Sequence, residues 1–243
     1  MRAMVVLPSY NERQNIAELT DALLALDPQY LVCIVDDSSP DGTSDHVTTA
    51  IASRPHWSDR VHLITRRIKD GRGGAVRDGL AWAVLSGEAF DAFVEMDCDF
   101  SHEPADVPRG LALLGNGWDV VIGARYPDGT IIGWPLRRRI FSAMANLMAR
   151  VLVDRSVPDY TNGFRFYSPA AVQVLLAHPQ RHRGYIYLSE SLAHLLRAGM
   201  RVRSFPIRFV NRERGSSNTD AREILAALVG IVAIALEHHR GPR

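Results

Sequence analysis

AMVVLPSYNERQNIAELTDALLALDPQYLVCIVDD, residues 3–37, decides the class of fold. An apolar run stops at Pro8, a polar turn follows, and Ile16, Leu19, Leu23 and Leu24 then recur at helical spacing before a second apolar run closes on Asp36 and Asp37. This reads as strand, helix, strand. Strands apolar at nearly every position are covered on both faces, which is the situation of a parallel sheet. Asn11 with Gln14 three residues on has the form of a capping box at the helix start.

The alternation continues outward. VHLIT, DAFVEMD and DVVIGAR read as further strands, and DGTSDHVTTAIAS, GGAVRDGLAWAVL and PADVPRGLALL as the helices between them. The class is α/β, with a mostly parallel central sheet flanked by helices. After Arg125 the pattern loosens: YPDGTIIGWP reads as a loop, RRRIFSAMANLMARVLV as a helix and DYTNGFRFY as extended chain. A helix near Leu188 to Arg197, a strand MRVRSFPIRFV, a polar loop NRERGSSNTD and a C-terminal helix complete the chain. With no linker in 243 residues, one domain is expected over 1–243.

Composition narrows the function. Apolar residues make up 47% and charged residues 23%, which places the chain among ordinary globular proteins. The 28 Lys and Arg against 27 Asp and Glu leave +1, so no global field draws in nucleic acid, and none is expected as a partner. MRAMVVLPSYNER lacks the apolar core and cleavage site of a secretory signal. Cys33 and Cys98 suit a reducing compartment, so a cytoplasmic location is expected. The last helix is apolar only from Ile224 to Leu236, short of the ~18 residues of a membrane span. It reads as a packed terminal helix, with an interfacial or partner-binding helix as the alternative.

The acids are the chemical signal. In open parallel sheets ligands bind beyond the carboxyl ends of the strands. Here those ends carry Ser9, Tyr10, Asn11 and Glu12, then Asp36 and Asp37, then FVEMDCDFSHEP (93–104) with Asp97 and Asp99. Acids meeting at one sheet edge require a cation or hydrogen-bond donors. In extended chain Asp97 and Asp99 would share a face. Mg²⁺ takes one or two carboxylates and completes its shell with water and substrate phosphate, so the pair suggests an ion that holds a pyrophosphate. The alternative is that the acids cap the next helix or close a strand-end turn.

PSYNE, VDDSSPDGT, DCDFSHEP, GARYPDGTIIGW with RRRIFSAMAN, TNGFRFY and NRERGSS, in this order from about Met4 to Leu236, resemble the inverting glycosyltransferases with a nucleotide-sugar-binding α/β domain. Within these the chain is most similar to the dolichol-phosphate and polyprenol-phosphate mannosyltransferases. The resemblance implies a Rossmann-like GT-A fold, with a nucleotide-sugar half over 1–125, an acceptor half over 126–219 and a C-terminal helix over 220–243. It implies GDP-mannose as donor, a polyprenyl phosphate as acceptor, Mg²⁺ or Mn²⁺ as cofactor, and peripheral contact with the cytoplasmic membrane face or with a membrane partner. By position, Pro8, Tyr10 and Glu12 would hold the nucleotide, with Val35 and Asp36 beneath the guanosine. Asp97 and Asp99, with Ser101 beside them, would bind the ion, and Cys98 would touch the donor through its backbone. Arg125, Arg138 and Arg212 match arginines near the phosphates, and Arg214 joins Arg138 and Arg212 at the acceptor phosphate.

The chain also departs from the family wording. RERGxSK reads RERGSSN, so Asn218 replaces a lysine that would contact the donor phosphates. GYxFQxEM reads GYIYLSES, which keeps Glu190 but has Leu188 and Ser191. IKDGRGGAV departs from KxGLGxA, although Lys69 and Arg72 keep the region basic.

These residue types suit sugar transfer. Breaking a sugar–phosphate bond leaves charge on the diphosphate, which an ion and arginines stabilise as it develops. A sugar hydroxyl nucleophile would need a base, whereas a phosphate monoester, with its second pKa near ~6, is already anionic and needs cations instead. Arg137, Arg138 and Arg139 offer them, unless they form only a solvated helix face. His102 reads as a helix-start residue or a neighbour of the ion site. Trp134, Phe164, Phe166, Tyr167, Tyr185 and Tyr187 read as core, with an isoprenoid channel as the alternative. The competing functions are transfer from another nucleotide sugar or to a hydroxyl, a phosphohydrolase using DCDFS as a nucleophile motif, and a non-catalytic binding module.

Overall fold

A computed structural model describes residues 1–182, 184, 186–211 and 230–238. The strands are β1 (Ala3–Ser9), β2 (Tyr30–Asp36), β3 (Val61–Thr65), β4 (Ala92–Glu95), β5 (Val120–Ala124), β6 (Thr130–Ile132), β7 (Arg165–Tyr167), β8 (Val202–Pro206) and β9 (Arg208–Val210). The helices are α1 (Ile16–Leu26), α2 (Thr43–Ser53), α3 (Gly71–Leu85), α4 (Val107–Gly115), α5 (Leu136–Leu152), α6 (Pro169–Ala177) and α7 (Tyr187–Arg197), and residues 230–238 are also helical.

Seven strands form one sheet in the order β3-β2-β1-β4-β7-β5-β8. Its neighbours are parallel except at β7, which runs antiparallel to both β4 and β5. Alternation along each strand divides the core into two layers. Met4, Val6, Cys33, Val35 and Phe93 face one layer, and Val5, Leu7, Val32, Ile34 and Val94 face the other. Both faces are thus covered by helices, as the continuous apolar strands require. Close packing of α3 depends on glycine: a Cβ at Gly79 would lie 2.5 Å from Val6 and 3.0 Å from Val35.

Several boundaries differ from the sequence expectations. Helix α1 begins at Ile16, and Asn11 lies in the left-handed region with φ 61°, so the Asn11–Gln14 capping box does not form. YPDGTIIGWP contains β6, which pairs with β9 in a separate parallel ribbon, and MRVRSFPIRFV is two strands, each hydrogen-bonded into a different sheet. Helix α6 has no counterpart among the elements expected from the sequence. No described helix is long and apolar enough to cross a membrane.

Candidate active site

Strand order reverses between β1 and β4, because β2 and β3 build outward on one side of β1 and β4 lies on the other. A crevice opens beyond the carboxyl ends of strands at such a point. The described non-glycine residues with left-handed backbone are Asn11, Ser38 and Phe100, with φ of 61°, 65° and 57°. Each lies just past the end of β1, β2 or β4. The strain, roughly 1–3 kcal/mol per residue, is therefore gathered around the crevice. Within it lies a cleft of about 860 Å³, open to solvent and lined in part by Pro8, Tyr10, Glu12, Asp97, Cys98 and Asp99.

Asp97 and Asp99 face this cleft for a reason other than strand pleating. Strand β4 ends at Glu95, two residues short of Asp97, and the DCD stretch is a bend that the left-handed Phe100 closes. Asp97 is paired with Arg72 through Nη1. Its backbone N–H donates to Nδ1 of the fully buried His102 at 3.4 Å, and His102 Nε2 meets Asn162 Oδ1 at 2.9 Å. Burial keeps the His102 pKa below its ordinary value against the pull of Asp97, consistent with a neutral ring. Asp99 accepts from the Ser101 backbone N–H at 3.1 Å and from the Ser101 hydroxyl. Ser101 is itself buried.

A divalent ion fits this donor set. Two hard carboxylates, separated by Cys98 alone in the sequence, stand at the cleft wall. That suits an ion completing its shell with diphosphate oxygens and water.

Pro8, Tyr10 and Glu12 line the cleft beside the end of β1. Asn15 Nδ2 donates to Glu12 Oε2 at 2.8 Å, and Lys69 Nζ lies 3.4 Å from the Tyr10 ring centroid. Cys98 lines the cleft with its thiol bonded to Pro8 O at 3.3 Å. Burial first, then Glu12, Asp97 and Asp99, push the Cys98 thiol well up, so it stays neutral. Cys33 is likewise raised to about 12 by burial. Val35 and Asp36 are not brought into the cleft. Pleating turns Val35 onto α3, and the Asp36 carboxylate accepts from the Ser39 and Ser44 hydroxyls. The next residue, Asp37, reaches the cleft instead. It accepts from Arg66 Nη1 at 2.6 Å, Gly71 N at 2.7 Å and Asp70 N at 3.0 Å, which ties the start of α3 to β2.

On the other side, Arg125 is buried and grips Asp159 through Nε and Nη2, both at 2.9 Å. Its Nη2 also reaches Thr161 Oγ1 at 2.6 Å. Burial would lower the Arg125 pKa, but the charges of Asp159 and Asp97 raise it, so it acts as a fixed cation near the acids. Arg138 lies over the Trp134 ring at 4.1 Å and donates to Asn211 Oδ1 at 3.3 Å. Arg212, Arg214 and Asn218 lie outside the described residues, as do Tyr185 and the start of the C-terminal helix. Trp134 is partly buried, and Phe164, Phe166, Tyr167 and Tyr187 are buried in the core.

Two site residues escape a reading of the sequence, and a third is read only in part. Glu95 is fully buried behind Asp97, and its signal is an acid inside the otherwise apolar FVEM run. Asp37 reads only as a strand-end acid. Asp159 has no local signal, because its partner lies 34 residues away.

Residues 4–176 match Glycosyl transferase family 2. The chain is 34% identical over 232 residues to an undecaprenyl-phosphate mannosyltransferase of Micrococcus luteus, covering 95% of this chain and 93% of that one. It is 34% identical over 228 residues to a polyprenol monophosphomannose synthase of Mycolicibacterium smegmatis, covering 93% and 84%. Its fold resembles that of glucosyl-3-phosphoglycerate synthase from Mycobacterium tuberculosis in complex with Mn²⁺, uridine diphosphate and glucosyl-3-phosphoglycerate, with TM-score 0.66 and 19% identity over 99% of this chain and 81% of that one. With the sheet order, the cleft at its reversal and a family match over most of its length, the chain belongs to glycosyl transferase family 2 and has the GT-A type of fold.

Proposed function

We propose that the chain transfers mannose from GDP-mannose to a polyprenyl phosphate with inversion at the anomeric carbon, using Mg²⁺ or Mn²⁺ held by Asp97 and Asp99. The observation that carries this reading is the pair of acids in the cleft at the strand-order reversal. The names of the two mannosyl-transferring relatives support the choice of sugar and acceptor. Family membership replaces the phosphohydrolase reading of DCDFS.

Pro8, Tyr10 and Glu12 shape the nucleotide end of the cleft, and Lys69 and Arg72 make its floor basic. Ser101 fixes the Asp99 carboxylate, and His102 fixes the backbone at Asp97. A bound ion supplies neutralising charge to the diphosphate as the sugar departs. Arg125, locked to Asp159, orders the loop after β5 and adds a fixed positive charge near Asp97.

The acceptor side favours a lipid phosphate. Arg137, Arg138 and Arg139 occupy the first turn of α5, where the helix dipole favours acids. A cluster of cations there is explained by an anionic ligand, and Arg138 with Arg212 and Arg214 would grip it through the guanidinium fork. Along the same helix Leu136, Ile140, Met144, Leu147 and Val151 are exposed at spacings of three and four, while Ala145 and Ala149 face the core. That stripe beside arginines suits peripheral contact with an anionic membrane surface, on the cytoplasmic face where the nucleotide sugar is available.

The test is incubation with radiolabelled GDP-mannose, GDP-glucose or UDP-glucose and a short polyprenyl phosphate, with and without Mn²⁺. A mild-acid-labile lipid product from GDP-mannose is expected. Label appearing only on hydroxyl acceptors would overturn the reading.

A further inference from the structure

Two departures from the family wording meet in space. Aligning KDGRGGA with KxGLGxA places Arg72 at the leucine, and aligning GYIYLSES with GYxFQxEM places Tyr187 at the phenylalanine. Each puts a polar group where an apolar one is expected, and both touch Glu95. The fully buried Glu95 carboxylate accepts from Tyr187 OH and Tyr167 OH, each at 2.9 Å, and from Arg72 Nη2 at 2.8 Å. Burial, and then the charge of Glu95, raise both phenols far above their ordinary range, so they remain donors. Arg72 Nη2 also reaches Gly163 O at 3.1 Å, and a Cβ at Gly163 would overlap the guanidinium at 2.3 Å from Nη2. The planar fork is fixed on this side, which directs Nη1 at Asp97.

We infer that Arg72, clamped by Glu95, is a resident counter-cation of the Asp97–Asp99 pair that makes metal binding depend on the donor diphosphate. The inference rests on reading that pair as the ion site. Two bare carboxylates attract a divalent ion by themselves. With a guanidinium seated on Asp97, an arriving ion meets an oxygen already engaged and a like charge that Glu95 does not allow to swing away. A diphosphate changes both conditions, because it brings oxygens to the ion and a new anionic partner to Arg72. Ion and nucleotide therefore bind with positive coupling, and the coupling is reciprocal.

The experiment measures Mn²⁺ affinity of the full chain by electron paramagnetic resonance, with and without GDP. In the parent, GDP tightens Mn²⁺ binding by about tenfold or more. Arg72→Leu alone strands the buried Glu95, so the informative variant is Arg72→Leu with Glu95→Val, which removes the pair together. In that double variant Mn²⁺ alone binds about tenfold tighter and the gain from GDP shrinks by about the same factor. Arg72→Lys, which keeps the charge, retains most of the coupling. If Asp97→Asn abolishes Mn²⁺ binding while the double variant leaves affinity and coupling unchanged, the inference falls and the ion site stands. Mn²⁺ binding that survives Asp97→Asn overturns both.

Discussion

The ends of β2 and β4 each deliver two carboxylates to the same edge of one sheet, yet they have different fates. Asp36 and Asp37 are absorbed by their surroundings: Asp36 by Ser39 and Ser44, Asp37 by Arg66 and two backbone N–H groups at the start of α3. Asp97 is met by Arg72 and Asp99 by the backbone N–H and hydroxyl of Ser101, and both line the cleft, which Asp37 alone of the first pair reaches. For Asp36 and Asp99 the segment just beyond the strand supplies the partner, while Asp37 and Asp97 draw theirs from the β3–α3 region. SSPDGTS supplies hydroxyls and a helix start within reach of β2, whereas CDFSHEP supplies little beyond Ser101.

The most direct way to break this comparison is to neutralise each pair in turn. Asp97→Asn and Asp99→Asn are expected to lower kcat/KM by about 10²–10³-fold, the scale of losing a preorganised electrostatic contact, with the melting temperature nearly unchanged. If Asp97→Asn transfers sugar at the parental rate, the assignment of roles to the two strand ends fails.

Asp37→Ala should behave in the opposite way. It removes a nearly buried ion pair and two backbone hydrogen bonds, and a cost of about 2 kcal/mol corresponds to a fall of roughly 4–8 °C in melting temperature for a chain of this size. Calorimetry checks the shift. An unchanged melting temperature with turnover lost would move Asp37 from the scaffold to the donor site.

How much of this is readable in the sequence depends on the range of the interactions. Residues 3–37 announce β1, α1 and β2 because periodicity and burial are local, and the Ile16, Leu19, Leu23 and Leu24 face is buried as expected. The DCD pair is legible as chemistry, but the pleating argument for its shared direction is not needed: β4 stops at Glu95, and a bend presents both acids. Short pieces are lost where pairing is remote. Nothing in TII announces a strand until FV, about eighty residues later, lies beside it. The Glu95–Tyr167–Tyr187–Arg72 cluster joins four separate segments, so each residue alone looks like ordinary core or surface.

Asp159 sharpens the comparison by supplying a third kind of carboxylate, one gripped on both oxygens by a single guanidinium. It is fully buried and accepts from the Arg125 backbone N–H at 3.0 Å as well as from the guanidinium. Burial alone would raise its pKa, but the Arg125 charge and the hydrogen bonds from Arg125 and Thr161 hold it below the ordinary value. A carboxyl depressed on folding adds stability that is complete above its unfolded value and is lost as pH falls through the folded one. The contribution of this pair should therefore be constant from neutrality down to about pH 4 and decline only below it. Melting temperatures of the parent and of Asp159→Asn, taken from pH 6 to pH 3, test the point. The variant starts lower because Arg125 is left buried without its anion, and the gap should narrow below pH 4 as the parent's own Asp159 is protonated. A gap that widens on acidification would mean that Asp159 is protonated in the fold and that Arg125 draws its counter-charge from the cleft acids instead.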